Sequence, residues 1–148
     1  MDTAEKLRDD NALRTAIEKD GIHRIFILDG PSGCGKTRFI NSLLYDRKLR
    51  IPANLLLETV FLEQRDLTGN KRMLLYFLTQ LNCDILCVED IDISLRSREA
   101  TQEMFADMIV ELAVHHTVLL TGNDIRKSCG TFVGILRGRY RCFRYTEQ

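Results

Sequence analysis

Residues 30–37 read Gly30-Pro31-Ser32-Gly33-Cys34-Gly35-Lys36-Thr37. An apolar run, Arg24 to Leu28, precedes them, and a helical pattern begins at Lys36. The spacing is G-x-x-x-x-G-K-[ST] between a strand and a helix, the context of a phosphate-binding loop. The chemistry requires these residue types. A triphosphate is a dense anion, and a glycine-rich loop turns its backbone N–H groups inward to receive it. The helix that follows adds its positive end. Gly30 and Gly35 allow an approach that a Cβ would block. Lys36 reaches the outer phosphates as a mobile charge, and the Thr37 hydroxyl is a ligand for Mg²⁺. ATP and Mg²⁺ are the ligands this loop predicts, with Gly30, Pro31, Ser32, Gly33, Cys34, Gly35, Lys36 and Thr37 forming the cradle.

Outward from the loop, strands and helices alternate. Ala4 to Lys19 reads as a helix with Leu13, Ala16 and Ile17 on one face, ended by Asp20-Gly21. Lys36 to Tyr45 turns Phe39, Ile40, Leu43 and Leu44 inward. Lys48 to Ile51 is a short strand before Pro52. Asn54 to Gln64 reads as a helix capped by Asn54, although its apolar clusters at Leu55–Leu57 and Val60–Leu62 leave a strand open. After a break at Gly69-Asn70, Lys71 to Leu81 is helical. Asp84 to Val88 is a buried strand. Ser97 to His115 is a helix with a stripe of Phe105, Met108, Ile109 and Leu112, and with Glu99, Gln102 and Glu103 opposite. Thr117 to Leu120 is a strand, Phe132 to Arg139 a helix, and Cys142 to Tyr145 a last strand. This order predicts an α/β fold, three-layered, with a five-stranded parallel sheet and ligands at the carboxyl ends of its strands.

Two strand ends carry chemistry. Ile85-Leu86-Cys87-Val88 runs into Glu89 and Asp90. Paired with a phosphate loop, such acids hold Mg²⁺ and orient the attacking water. Thr37, Glu89 and Asp90 are therefore the candidate metal residues. Asp92 is a further acid nearby, assigned to the turn that follows. Thr117 to Thr121 leads to Asn123, an amide able to position water near the γ-phosphate; Gly-Asn-Asp is equally an ordinary turn. Near the end, Arg126, Lys127, Arg137, Arg139, Arg141 and Arg144 gather with no acid between the first and the last.

The totals bound the rest. The chain has 148 residues, 45% hydrophobic and 28% charged, enough for one domain with a core. Net charge is zero, which excludes a global field toward nucleic acid or membrane. No apolar run approaches the ~20 residues of a membrane span, and the polar N-terminus leads us to expect no signal peptide. The five cysteines, Cys34, Cys83, Cys87, Cys129 and Cys142, have no metal-ligand or redox-pair spacing and suit a reducing cytoplasm. Cys83, Cys87 and Cys142 read as core residues. Cys34 lies in the loop beside Lys36 and reads as a small loop residue.

Taken in order, GPSGCGKT, CDILCVEDID, the helix opening Arg98-Glu-Ala-Thr-Gln-Glu-Met-Phe, TVLLTGND and LRGRY resemble the AAA+ ATPases, and within them the DnaA-type replication initiators. The resemblance runs from about Asn11 to Tyr145. It implies that residues 30–37 are Walker A and that Glu89 and Asp90 take the Walker B positions. Asn123 falls at sensor 1. Arg139 falls on the arginine that points into a neighbouring subunit's ATP. Lys36, Asp90, Asn123 and Arg139 are the catalytic set so implied. Glu89 stands where Asp is usual, and Gly138 where a small Ser is usual. The chain is expected to be a single core, residues 1–148, lacking the helical lid and the DNA-binding domain.

The implied function is an ATP-binding DnaA-like core in DNA replication initiation or its regulation, as a weak ATPase or a nucleotide-dependent module. Partners would be ATP and a second copy or another AAA+ replication protein, with no specific double-stranded DNA binding and no membrane. A small P-loop kinase and a non-hydrolysing adaptor to an initiator or helicase loader remain the alternatives.

Overall fold

Apolar runs that are buried on both faces make the middle of a sheet, because only there can helices cover both sides. Ile25–Asp29 (β2), Ile85–Glu89 (β4) and Thr117–Gly122 (β5) behave this way, with nearly every residue buried. The computed structural model describes residues 5–7, 10–31, 33–42, 48–61, 76–96 and 98–145. Two further strands, Lys48–Pro52 (β3) and Tyr140–Tyr145 (β6), complete the expected five, and Glu5–Leu7 (β1) adds a sixth at one edge. The order is β1-β6-β2-β5-β4-β3, and every pairing is parallel.

The period of two along each strand divides the core into two layers. Ile25 and Ile27 of β2, Leu86 and Val88 of β4, and Val118 and Leu120 of β5 face one side. They meet the stripe of Glu99–His115 (α6) together with Leu56 and Leu57 of Ala53–Phe61 (α3). Phe26 and Leu28, Ile85 and Cys87, and Leu119 face the other side. There they meet Leu13 and Ile17 of Asp10–Lys19 (α1) and Phe39 and Ile40 of Lys36–Ser42 (α2). Phe105 packs on Phe132 at 5.4 Å between ring centroids, and Phe26 stacks near Phe143 at 6.3 Å. Residues 76–80 are a helical segment (α4), tied to the end of α6 by the His116 ring, whose nitrogens lie 2.9 Å from the carbonyls of Leu78 and Cys83.

The sequence expectations are met for the layers and the sheet, with local corrections. Residues 5–7 are a strand rather than the start of a helix: they pair with β6, whose outer edge would otherwise be unpaired. The segment after Pro52 is the expected helix α3, which closes the strand alternative. Two short helices stand at strand ends, Ile91–Leu95 (α5) after β4 and Ile125–Ser128 (α7) after β5. The helix expected over 132–139 is Gly130–Ile135 (α8), and Gly138, with φ 80°, turns the chain toward β6. Gln102 is buried, not on the outer face of α6. Its amide donates to the Leu95 carbonyl (2.9 Å) and accepts from the Phe132 N–H (2.9 Å), so it binds the end of α5 to α8. Leu43, Leu44 and the Gly69-Asn70 break lie outside the described residues.

The connections from β2 and β5 leave in opposite directions and on opposite faces. α2 follows β2 on the side of Phe39, whereas α7 and α8 follow β5 on the side of Phe132. That divergence opens a crevice at the carboxyl ends of the two strands.

At the other end of the sheet, Asp20 holds the turn between α1 and β2. It accepts from the N–H groups of Ile22 (2.9 Å) and His23 (2.8 Å), from the His23 ring (2.9 Å) and from Arg141 (3.3 Å). Burial alone would raise its pKa, but the Ile22 and His23 donors and the His23 charge outweigh burial and hold it well below the usual carboxylate range. A depressed native pKa stabilises the fold above the unfolded value, and that contribution is lost as pH falls through the native one. Asp20→Ala is expected to cost about 1–3 kcal/mol at pH 7 in urea denaturation. The difference from wild type should shrink progressively below about pH 4.

Cys87 and Cys129 are fully buried, and burial pushes both thiols up to about 12. Neither should react with iodoacetamide at pH 8 until the protein is unfolded, a pattern that peptide mapping by mass spectrometry checks.

Candidate functional site

The phosphate-type loop leaves β2 at Asp29 and enters α2 at Lys36. Gly33 and Gly35 have φ values of 81° and 112°, in the region where a side chain would be strained. A Cβ at Gly35 would also meet the Arg38 guanidinium at 2.8 Å, a flexible side-chain end that can move aside, so the backbone angle is what calls for glycine. The Cys34 N–H bonds the Pro31 carbonyl (3.2 Å), and the Phe39 N–H bonds the Gly35 carbonyl (2.9 Å), so the turn runs directly into the helix.

The loop is bolted to the neighbouring strand. The carbonyl of Gly122, last residue of β5, accepts from the Gly30 N–H at 3.1 Å. It also accepts from the Lys36 ammonium at 3.2 Å, and the same ammonium bonds the Gly30 carbonyl. Asp29, buried under the loop, accepts from the N–H groups of Asp124 (2.7 Å) and Ile125 (3.3 Å). Its carboxylate thus takes the exposed donors at the start of α7, the task of a helix cap, but from another strand.

Asp90 and Asp124 are the described non-glycine residues with positive φ, at 61° and 55°. Each stands between a central strand and a short helix. Aspartate tolerates this region better than most residues. The sharp turn it makes puts residues 90–93 and Asn123 at the carboxyl ends of β4 and β5 rather than past them.

A cavity of about 650 Å³ is lined by Gly33, Gly35, Lys36, Thr37, Arg38, Asp90, Asp92, Ile93 and Asn123. Three strand ends therefore supply one site. Six of its residues were expected from the sequence: Gly33, Gly35, Lys36, Thr37, Asp90 and Asn123. Gly30, Pro31 and Cys34 form the base and side of the loop, and Ser32 lies outside the described residues. The lining residues carry hard oxygens, the Thr37 hydroxyl and the carboxylates of Asp90 and Asp92, which suit Mg²⁺. Among the described residues no group of three or more His, Cys, Asp or Glu could hold a metal by itself. Mg²⁺ needs none, since it binds through one or two carboxylates together with phosphate oxygens.

Two expected residues are placed elsewhere. Glu89 does not line the cavity. It forms a two-pronged pair with Arg50 of β3, Nε to Oε2 at 3.1 Å and Nη2 to Oε1 at 2.9 Å. Arg50 also donates to Asn41 of α2, and the bond to Glu89 raises its pKa further above the ordinary value. Arg139 is exposed just before β6. Tyr140 pairs with Ile25, the first residue of β2, so Arg139 stands at the amino ends of the strands, opposite the loop. It cannot reach the cavity of its own chain.

Sequence reasoning passed over Asp29, Arg38, Arg50 and the orientation of Asp92. Asp29 had a signal, an acid closing an otherwise apolar strand before the loop. Asp92 had been assigned to the turn; the residue instead lines the cavity while only 6% exposed, with Oδ1 beside Gly122.

No protein-family model matches the chain, and no curated protein matches it. Solved structures are similar to it. One is a replication initiator DnaA bound to AMPPCP and single-stranded DNA, with a TM-score of 0.62 and 17% identity over 93% of this chain and 45% of that one. Another is domain III of the Thermotoga maritima replication initiation protein DnaA, with a TM-score of 0.60 and 14% identity over 93% of this chain and 60% of that one. A third is C. elegans PCH-2, with a TM-score of 0.62 and 15% identity over 94% and 43%. The chain spans less than two thirds of the length of each. At such identities the likeness is one of fold, and the chain shares the fold of the matched parts of these DnaA and PCH-2 structures.

Proposed function

We propose that the chain is an ATP–Mg²⁺-binding module, a single DnaA-like core. It acts as a weak ATPase or as a nucleotide-dependent interaction module in replication initiation or its regulation. The observation that carries this reading is the convergence of Lys36, Thr37, Asp90 and Asn123 on one cavity from three strand ends. Support also comes from the DnaA structure solved with AMPPCP.

In this reading the loop N–H groups and Lys36 cradle the phosphates, with Thr37 and the cavity carboxylates on the metal side. Bound Mg²⁺ would supply charge neutralisation between phosphates. Asp90 orients the attacking water, and Asn123 holds it at the γ-phosphate end. Arg139, on the far side of its own sheet, serves the nucleotide of a neighbouring subunit. The Arg50–Glu89 pair favours one alternative, a binding module without turnover, because it withholds an acid from the site. ATP consumption dependent on an added phosphoryl acceptor would instead mark a kinase.

Lys36→Ala removes a charge-assisted contact worth about 1.5–3 kcal/mol, so ATP affinity should fall by at least roughly tenfold. Unchanged affinity by titration calorimetry refutes the nucleotide site. Arg139→Ala should keep ATP binding in the monomer and lose ATP-driven self-association, as read by sedimentation velocity. Equal self-association in variant and wild type removes Arg139 from the mechanism.

A further inference from the structure

The two acids that end β4 and begin α5 are sorted by their neighbours. Both oxygens of Glu89 are engaged by Arg50, at 2.9 Å and 3.1 Å, and its side chain is absent from the cavity wall. Asp92 is on that wall and is 6% exposed. Its one described charged partner is Arg96, at 3.8 Å, beyond hydrogen-bond distance and itself largely exposed. Among the described residues the Asp92 carboxylate accepts no hydrogen bond. A carboxylate this little exposed, with no hydrogen bond from the described residues and its charged partner 3.8 Å away, leaves its oxygens open to a cation beside them.

Its location is set by a glycine. Asp92 Oδ1 lies 2.9 Å from where a Cβ on Gly122 would stand, so any larger residue there would displace it. Gly122 is the residue whose carbonyl holds both the Gly30 N–H and the Lys36 ammonium. The carboxylate and the loop lysine therefore meet on the same residue, with Thr37 and Asp90 on the same cavity wall.

We infer that Asp92, rather than Glu89, is the carboxylate that faces the Mg²⁺ of a bound nucleotide, and that Glu89 is a brace holding β3 to β4. This rests on the nucleotide-binding reading above. Asp92 then takes the place left by an acid that Arg50 has turned aside, and Gly122 is the accommodation it requires.

The test measures affinity for a non-hydrolysable ATP analogue by calorimetry, once with Mg²⁺ and once with EDTA, on the full chain. In wild type Mg²⁺ should tighten binding. In Asp92→Asn that gain should fall by roughly tenfold or more. Binding in EDTA should stay equal or become tighter, since a negative charge facing the phosphates is gone. Glu89→Gln should retain the full Mg²⁺ gain. The inference is overturned if Asp92→Asn keeps the gain, if it weakens binding equally in both buffers as a merely structural residue would, or if Glu89→Gln loses the gain. The Glu89→Gln arm decides on its own should Asp92→Asn fail to fold. Failure of wild type to bind in either buffer overturns the proposed function as well, so the two failures are distinct.

Discussion

One backbone carbonyl organises the site. Gly122 ends β5 and accepts from both the Gly30 N–H and the Lys36 ammonium. Backbone groups buried at a strand end must find partners, and here the partner is the phosphate-type loop of the adjacent strand. The loop is thereby fixed to β5 before any ligand arrives. Ile125 and Asp92 crowd the same residue, both 2.9 Å from the position a Cβ would take. Glycine is required at this point because two helices and a loop converge on it. Asp29 repeats the constraint from below, taking the donors of Asp124 and Ile125. The strands β2 and β5 are thus locked together where the site must be rigid.

The acids show how tertiary contacts assign chemistry. Glu89, Asp90 and Asp92 are nearly adjacent, so sequence spacing alone offers no way to rank them. Arg50, far upstream, removes Glu89 by satisfying both its oxygens with a planar fork. The left-handed turn at Asp90 opens α5, and Asp92 and Ile93 at its start line the cavity. An arginine on the edge-side strand β3 therefore determines which carboxylate is available. Arg139 illustrates the converse: it is exposed and distant from its own cavity, so any role at a nucleotide requires a second molecule.

The fold was legible where the hydrophobic pattern was strong. β2, β4 and β5 are continuous apolar runs, and α6 carries a clear stripe, so their identity and parallel arrangement followed from the residues. It was not legible at Glu5–Leu7, three mixed residues whose strand identity comes from the edge of β6. Gln102 was equally opaque, a polar residue at a surface-like helical position. It is buried because the Leu95 carbonyl and the Phe132 N–H need a partner inside the core. The short helices α5 and α7 lie below the length at which periodicity can be read.

Sequence by itself determined the phosphate-type loop, the alternation of strands and helices, and the acids and amide at two strand ends. These are local facts, because glycine at fixed offsets, apolar runs and helix starts act within a few residues. Tertiary structure alone decided which of those groups share a cavity. Opposed connections from β2 and β5 open it, Gly122 makes room for Asp92, and Arg50 takes Glu89 away. Each of these depends on chain segments far apart in sequence, brought together by the packing of a parallel sheet between two layers of helices.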